Sequence, residues 1–376
     1  MPLNTLHDLI DAFDDRGDAP ALLSLEGEDV ETWSYRDLRA RIGHVAGGLK
    51  DAGVQEEHFV ALVAENSPAW IVGYFAIVSL GATAVLIDHA TSEKERQRLL
   101  AHAGARLALI ETGDAERGAP DLRRIGDDGH IGERLAGWST LLDSGPAEGV
   151  AVNADRVASL LYTSGTTGTP KGVPLTHGNF ASNVEGLLTE DLATPGDRVV
   201  LPLPLHHAYP FTVGMLTTFA VGATLVMPER IAPEAIGRAL HETDATIMVG
   251  VPRLFTALLA GIEAQVKARG TTALRLYRAM RALSLFCKRR LGIRIGRCLF
   301  RQLHSRFGPS LRLLASGGAK LEADTAWSLE ALGWEVMTGY GLTETSPVVT
   351  FTPRGRPRFE TAGKPLDQRL AKLKAL

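Results

Sequence analysis

Short apolar runs of strand character alternate with amphipathic helical stretches along most of this chain. That alternation is the strongest constraint on its fold. Phe59–Val63, Thr83–Ile87, Ala105–Ile110, Val157–Tyr162, Val199–Leu203, Ala223–Met227, Thr246–Val251 and Leu311–Ala315 read as buried strands. Near-continuous aliphatic runs suit strands covered on both faces. Between several of them, Tyr35–Ala52, Glu93–Ala103, Pro233–Thr243 and Pro252–Ala264 carry helical spacing. Strands separated by helices predict an α/β fold with largely parallel sheets. The connection Glu111–Val152, rich in Gly, Asp and Arg, reads as an irregular segment between two subdomains.

One stretch mimics a membrane span: Trp70–Ile87 is uncharged and just long enough. Gly73 and Gly81 split it, Pro68 precedes it, and β-branched residues gather before Asp88. A buried helix followed by a core strand accounts for this pattern. The first residues, Met1–Asp8, lack a basic region followed by an apolar run, so no secretory leader is expected. With 376 residues, 45% of them apolar, the chain can bury a substantial core. A formal net charge of −3 excludes a nucleic-acid partner recruited through overall positive charge. Two cysteines, Cys287 and Cys298, exclude a disulfide framework and a cysteine-based zinc site, and fit a reducing cytoplasm.

Charge is unevenly distributed. No Asp or Glu occurs between Glu263 and Glu322, yet this interval holds fourteen Lys and Arg, from Lys267 to Lys320. Leu274–Leu283 mixes apolar and basic positions at roughly helical spacing. Such a surface, spanning 267–306, could dock on anionic lipid or on an acidic carrier protein. It could equally be a solvated basic helix that balances acidic neighbours.

The chemistry concentrates in Leu161–His177, LYTSGTTGTPKGVPLTH, where a strand runs into a loop of glycines, hydroxyl residues and one lysine. Glycines let backbone N–H groups converge on phosphate oxygens, hydroxyls add donors, and the lysine adds a mobile positive charge. The order is not that of a Walker A loop, because Pro170 precedes Lys171 and Gly172 follows it. Kinase or NTPase chemistry of that type is therefore disfavoured.

TSGTTGTPKG resembles the phosphate-binding signature of the adenylate-forming superfamily, which includes acyl-CoA synthetases, luciferases and nonribosomal peptide adenylation domains. Ser316-Gly317-Gly318-Ala319 resembles that family's adenine-side loop, and Gly339–Thr345 (GYGLTET) its second core motif. Trp33–Leu38 and Asn66–Trp70 also fit the family pattern, so the resemblance covers roughly residues 5 to 366. It implies a layered α/β/α fold with two parallel-sheet subdomains, roughly 1–180 and 181–366, forming the large N-terminal domain of such an enzyme.

The resemblance further implies attack of a carboxylate on the α-phosphate of ATP, giving acyl-AMP and pyrophosphate. Thr163, Ser164, Gly165, Thr166, Thr167, Gly168 and Lys171 would wrap the β- and γ-phosphates. Glu344 would coordinate Mg²⁺, with Thr163 a second ligand, and Thr343 would contact the α-phosphate. Gly317, Gly318, Ala319, Tyr340 and Gly341 would frame the adenine, glycine permitting close approach and tyrosine offering a stacking face. In Leu201–Phe211, His207 is expected beside the substrate carboxylate. His206 is left as surface or core, because neighbours on an extended chain point to opposite faces. His177 is expected to begin the helix after the loop.

Val251–Phe255, the basic stretch after it, and Gly339–Val349 are similar to fatty acyl-CoA synthetases. A medium- or long-chain fatty acid is thus the implied substrate, and coenzyme A or an acyl carrier protein the acceptor. After Leu366 the family continues with a ribose-binding Asp, a hinge and a small domain bearing a lysine that assists adenylation. Asp367–Leu376 does not resemble that continuation. The expectation is that the small C-terminal domain is absent here or supplied in trans. The alternative to an acid ligase is a non-catalytic or partner-dependent module that binds nucleotide or acyl-adenylate.

Overall fold

A continuous apolar run becomes a central strand when helices cover both faces of its sheet, and the computed structural model of this chain is organised in that way. Residues 3–111, 119–163, 170–355 and 357–366 are described. Two compact units are present. The first comprises Met1–Ser24, Val30–Glu185 and Pro204–Gly222, and the second Leu25–Asp29, Gly186–Leu203 and Ala223–Leu376. The boundary expected near 180 is therefore more convoluted, since 204–222 returns to the first unit.

In the first unit a seven-stranded sheet runs Ile131–Ala136, Asp121–Ile125, Leu107–Ile110, Phe59–Val63, Thr83–Leu86, Val157–Thr163, Lys171–Thr176. The central strands Leu107–Ile110, Phe59–Val63, Thr83–Leu86 and Val157–Thr163 are parallel, and antiparallel pairs flank them on both sides. The segment 111–152 is thus more regular than its sequence implies. It contains the strands Asp121–Ile125 and Ile131–Ala136 and a short helix, Trp138–Leu142. Charges interrupt the apolar run in these outer strands: Arg124, Glu133 and Arg134 are exposed, while Asp121 is buried and paired with Arg134 at 2.9 Å.

The membrane-like stretch folds as a buried helix, Pro68–Ser79, and the strand Thr83–Leu86. Proline occupies the first helical turn, and Ser67 Oγ accepts from the Trp70 N–H at 3.0 Å, supplying the cap. Every side chain from Ala69 to Ser79 is buried. The turn that follows requires Gly81, whose φ is +71° and where a Cβ would lie 2.9 Å from Val150 Cγ2.

Aromatic packing explains why 204–222 belongs to this unit. Phe211 meets Tyr74 at 4.7 Å and Phe180 at 5.2 Å between ring centroids, and Phe219 meets Phe13 at 5.7 Å and Phe75 at 6.0 Å. Such ring contacts add to the apolar burial of each side chain.

In the second unit the strands are ordered Lys364–Pro365, Val348–Phe351, Glu335–Gly341, Leu313–Ser316, Ile247–Gly250, Arg198–Val200, Thr224–Met227. Pairing is parallel from Thr224–Met227 through Glu335–Gly341, and antiparallel beyond it. Arg312 joins Asp197 at 2.7 Å. Burial raises the Asp197 pKa, but hydrogen bonds from Arg312, Thr246 and Thr194 outweigh it and hold the carboxyl below its ordinary range. Among the described residues no helix is long and apolar enough to cross a membrane.

Candidate active site

In open parallel sheets, ligands bind outside the carboxyl ends of the strands, where loops carry exposed backbone groups. In the first unit those ends bring together residues of suitable chemistry. Glu111 follows Leu107–Ile110, Glu65 and Asn66 follow Phe59–Val63, Asp88 and His89 follow Thr83–Leu86, and Thr163 ends Val157–Thr163. The strands Val157–Thr163 and Lys171–Thr176 are antiparallel, in a register that pairs Thr163 with Lys171 and Tyr162 with Gly172. Thr163 is half-buried and Lys171 exposed. The glycine- and hydroxyl-rich loop is therefore closed by a ladder that sets a hydroxyl opposite an ammonium group. Ser164, Gly165, Thr166, Thr167 and Gly168 lie outside the described residues.

The strand entering the loop is anchored through Tyr162. Its hydroxyl donates to the Leu99 carbonyl at 3.0 Å and lies 2.9 Å from His102 Nδ1. Burial pushes this phenol up to about 12, so it remains a neutral anchor. On the other side of the loop, His177 begins the helix His177–Leu188, as its sequence position suggests. The ring is fully buried, its Nδ1 accepts from the Leu6 N–H at 3.3 Å, and burial lowers its pKa to about 3.

The histidine pair departs from expectation. Leu205–His207 is a turn, not an extended segment; the His207 N–H reaches the Pro204 carbonyl and the Phe211 N–H reaches that of His207. The two rings consequently lie side by side, 4.2 Å between centroids and tilted by 55°, instead of pointing to opposite faces. Asn66 Oδ1 accepts from the Leu205 N–H at 2.9 Å and fixes the turn. His206 Nε2 lies 3.7 Å from Asp88, and His89 lies 3.5 Å from Asp88 and 3.4 Å from Glu65. Burial first, and then the neighbouring His207, lower His206 to about 4, against the pull of Asp88. His207 is also held below its ordinary value, desolvation outweighing Asp88. At neutral pH the pair is thus uncharged and able to accept a proton or hydrogen bond. The acidic partners Glu65 and Asp88 were not singled out from sequence, although each follows a strand at its carboxyl end, and that position is the signal for them.

In the second unit the carboxyl ends of three parallel strands are in register, Gly250 beside Ser316 and Ser316 beside Thr338. Gly317 is buried and donates to the Gly250 carbonyl at 3.3 Å, whereas Gly318 and Ala319 are exposed. Gly318 has φ +76°, a conformation that favours glycine, and leaves its backbone open to an approaching ring. Tyr340 exposes about half its surface. A Cβ on Gly341 would collide with the Pro347 carbonyl, so the return of the chain past Tyr340 depends on glycine there. Thr343–Thr345 forms a single 3₁₀ turn whose Glu344 carboxylate is exposed. Among the described residues no group of three or more His, Cys, Asp and Glu is arranged to hold a metal ion. One exposed carboxylate does suit Mg²⁺, which commonly takes one or two carboxylates and completes its shell with water and phosphate oxygens.

A family model described as AMP-binding enzyme matches residues 11–374, nearly the whole chain and part of the tail that the motif comparison set apart. The chain belongs to the AMP-binding enzyme family. Its relatives in this family include feruloyl-CoA synthase from an Amycolatopsis species, 29% identical over 343 residues, covering 90% of this chain and 61% of that protein. Another is the peroxisomal long chain acyl-CoA synthetase 7 of Arabidopsis thaliana, 28% identical over 365 residues, covering 88% of this chain and 51% of the synthetase. The chain therefore spans between half and two thirds of the length of these AMP-binding relatives. Its fold is that of the N-terminal domain of FACL13 from Mycobacterium tuberculosis, with a TM-score of 0.71 at 19% identity, covering 93% of this chain and 79% of that one.

Proposed function

We propose that this AMP-binding chain activates a carboxylic acid with ATP, forming an acyl-AMP and releasing pyrophosphate, for transfer to coenzyme A or a carrier-protein phosphopantetheine. The observation that carries this reading is the antiparallel pair 157–163 and 171–176, with Thr163 opposite Lys171, in a chain matched by the AMP-binding family over 11–374. The obstacle to this reaction is the negative charge on the phosphates, and donors and cations remove it. Lys171 and the signature residues 163–168 would supply them. By the family resemblance, Tyr340, Gly341 and Gly317–Ala319 would take the adenine, and Thr343 would contact the α-phosphate. Glu344 would hold Mg²⁺, an ion that neutralises phosphate charge when bound. His207, neutral at physiological pH, orients the substrate carboxylate.

For the acid we propose a medium- or long-chain fatty acid, supported by the likeness of 251–255 and 339–349 to fatty acyl-CoA synthetases and by the long chain acyl-CoA synthetase among the relatives. The similarity to feruloyl-CoA synthase favours a second reading, an aromatic acid. The test mixes the chain with ATP, Mg²⁺, fatty acids of graded length and ferulate, and reads acyl-AMP by mass spectrometry. A fatty acyl-AMP that disappears in Glu344→Gln is the expected outcome. A preferred feruloyl-AMP would shift the substrate to the second reading. Adenylate formation unchanged in Glu344→Gln would remove Glu344 from the metal site. No adenylate from any acid, with ATP still bound, would leave the chain a partner-dependent binding module.

A further inference from the structure

The acid-free interval 264–321 folds in the second unit largely as helices, and its basic residues divide into two sets. One set is balanced by the protein itself. Arg281 pairs with Glu263 at 2.7 Å, Lys288 with Glu330 at 3.3 Å, and Arg294 with Glu335 at 3.3 Å; the Arg289 guanidinium lies 4.0 Å from the centroid of the Trp327 ring. Other basic residues are exposed, Arg275, Arg278 and Arg290 among them.

Apolar residues divide in the same way. The helix Thr271–Phe286 buries only Tyr277 and Ser284. Its opposite side carries Leu276, Ala279, Leu283 and Phe286, spaced to lie along one stripe. Leu276, Leu283 and Phe286, with Leu291 and Ile293 just beyond, are each more than half exposed. Of the ten exposed large apolar side chains among the described residues, these five fall within 276–293. Scattered exposed apolar residues need no explanation, but a concentrated set does.

We propose that this face, Leu276, Leu283, Phe286, Leu291 and Ile293 with Arg275, Arg278 and Arg290, docks the protein on an anionic lipid surface. A stripe of bulky aliphatic and aromatic side chains beside guanidinium groups, with no carboxylate in the local sequence, matches both layers of such a surface. The apolar groups enter the acyl boundary while the arginines remain among headgroup phosphates. An acidic carrier protein would satisfy the arginines but leaves five bulky side chains to be covered by a matching apolar pocket. Lipid covers them without one. The proposal stands on the second unit alone and does not depend on the acid ligase reading.

Flotation of the whole chain with phosphatidylcholine vesicles, with and without phosphatidylserine, tests it. Binding is expected only to the anionic vesicles, and it should weaken as salt is raised. Arg275→Gln/Arg278→Gln should lower the partition coefficient by about thirtyfold, from about fivefold per charge lost near the surface. Leu283→Ser/Phe286→Ser should lower it by about tenfold or more through lost apolar insertion. Both pairs are exposed, and an unchanged melting temperature would show that folding is intact. Equal partition onto neutral and anionic vesicles, or an unaffected Leu283→Ser/Phe286→Ser variant, would overturn the proposal. So would absence of flotation combined with arginine-dependent capture by a purified acidic acyl carrier protein.

Discussion

Two helices of this protein invite comparison because each carries apolar residues on a side where a surface helix would be polar. Pro68–Ser79 contains no charged residue and is buried all round, lying so close to its sheet that a Cβ on Gly73 would come within 2.9 Å of Leu109 Cδ1. Thr271–Phe286 carries three arginines, buries a narrow face and turns Leu276, Leu283 and Phe286 to solvent. Mean apolarity alone would mark the first as the membrane-seeking element. The arrangement reverses this. An uncharged helix of this length inside a strand–helix alternation is core, whereas interleaved arginines let a shorter apolar stripe stay at the surface.

The comparison can be broken most forcefully in the buried helix. Phe75 is fully buried, with ring contacts to Phe13 at 5.8 Å, Tyr74 at 5.4 Å and Phe219 at 6.0 Å. Phe75→Ala removes transfer free energy and opens a cavity that this packing cannot collapse, so denaturant unfolding should show a loss of about 3–5 kcal/mol. A loss below about 1 kcal/mol would mean that the helix is not the core element its burial indicates.

A smaller effect is expected from pH. His177 is buried in the same unit; desolvation, then the nearby His7 and Arg156, lower its pKa to about 3, while Asp8 pulls the other way. In the unfolded chain the ring titrates near 6.5. Between these values the unfolded chain takes up a proton that the native protein refuses. Stability is therefore full above pH 6.5 and falls as pH drops toward 3, by at most about 1.4 kcal/mol per pH unit. His177→Gln keeps an acceptor for the Leu6 N–H and should flatten this limb relative to the parent. Equal slopes for parent and variant would show that the ring is protonated in the native state as well.

What the sequence made legible follows from the same physics. The strands Phe59–Val63, Thr83–Leu86 and Ile247–Gly250 were readable almost to the residue, because strands buried on both faces are apolar throughout. The pair Asp121–Ile125 and Ile131–Ala136 was not, since DLRRI and IGERLA are interrupted by charges, of which Asp121 is buried in an ion pair with Arg134. The return of 204–222 to the first unit depends on Phe211 and Phe219 meeting rings far away in sequence, which no local pattern encodes. At the candidate site the motif residues Thr163, Lys171, Gly318 and Glu344 were singled out through spacing and resemblance. The side-by-side placement of His206 and His207 was missed, because a turn stabilised by Asn66 replaces the extended segment that alternation assumes. Asp88 and Glu65 were missed because isolated acids carry no periodic signal.

The smallest expected effect completes the comparison from the exposed side. Phe286 has the same ring as Phe75 but leaves 57% of its surface in water, at the end of a helix whose buried contacts are Tyr277 and Ser284. Phe286→Ala leaves no cavity, and alanine is the better helix former, so the change in unfolding free energy should lie within about 0.5 kcal/mol. A near-zero change in stability together with weaker binding to anionic vesicles would separate docking from folding at a single residue. A loss approaching that of Phe75→Ala would show instead that the apolar stripe is covered within the folded protein, and the contrast between the two helices would disappear.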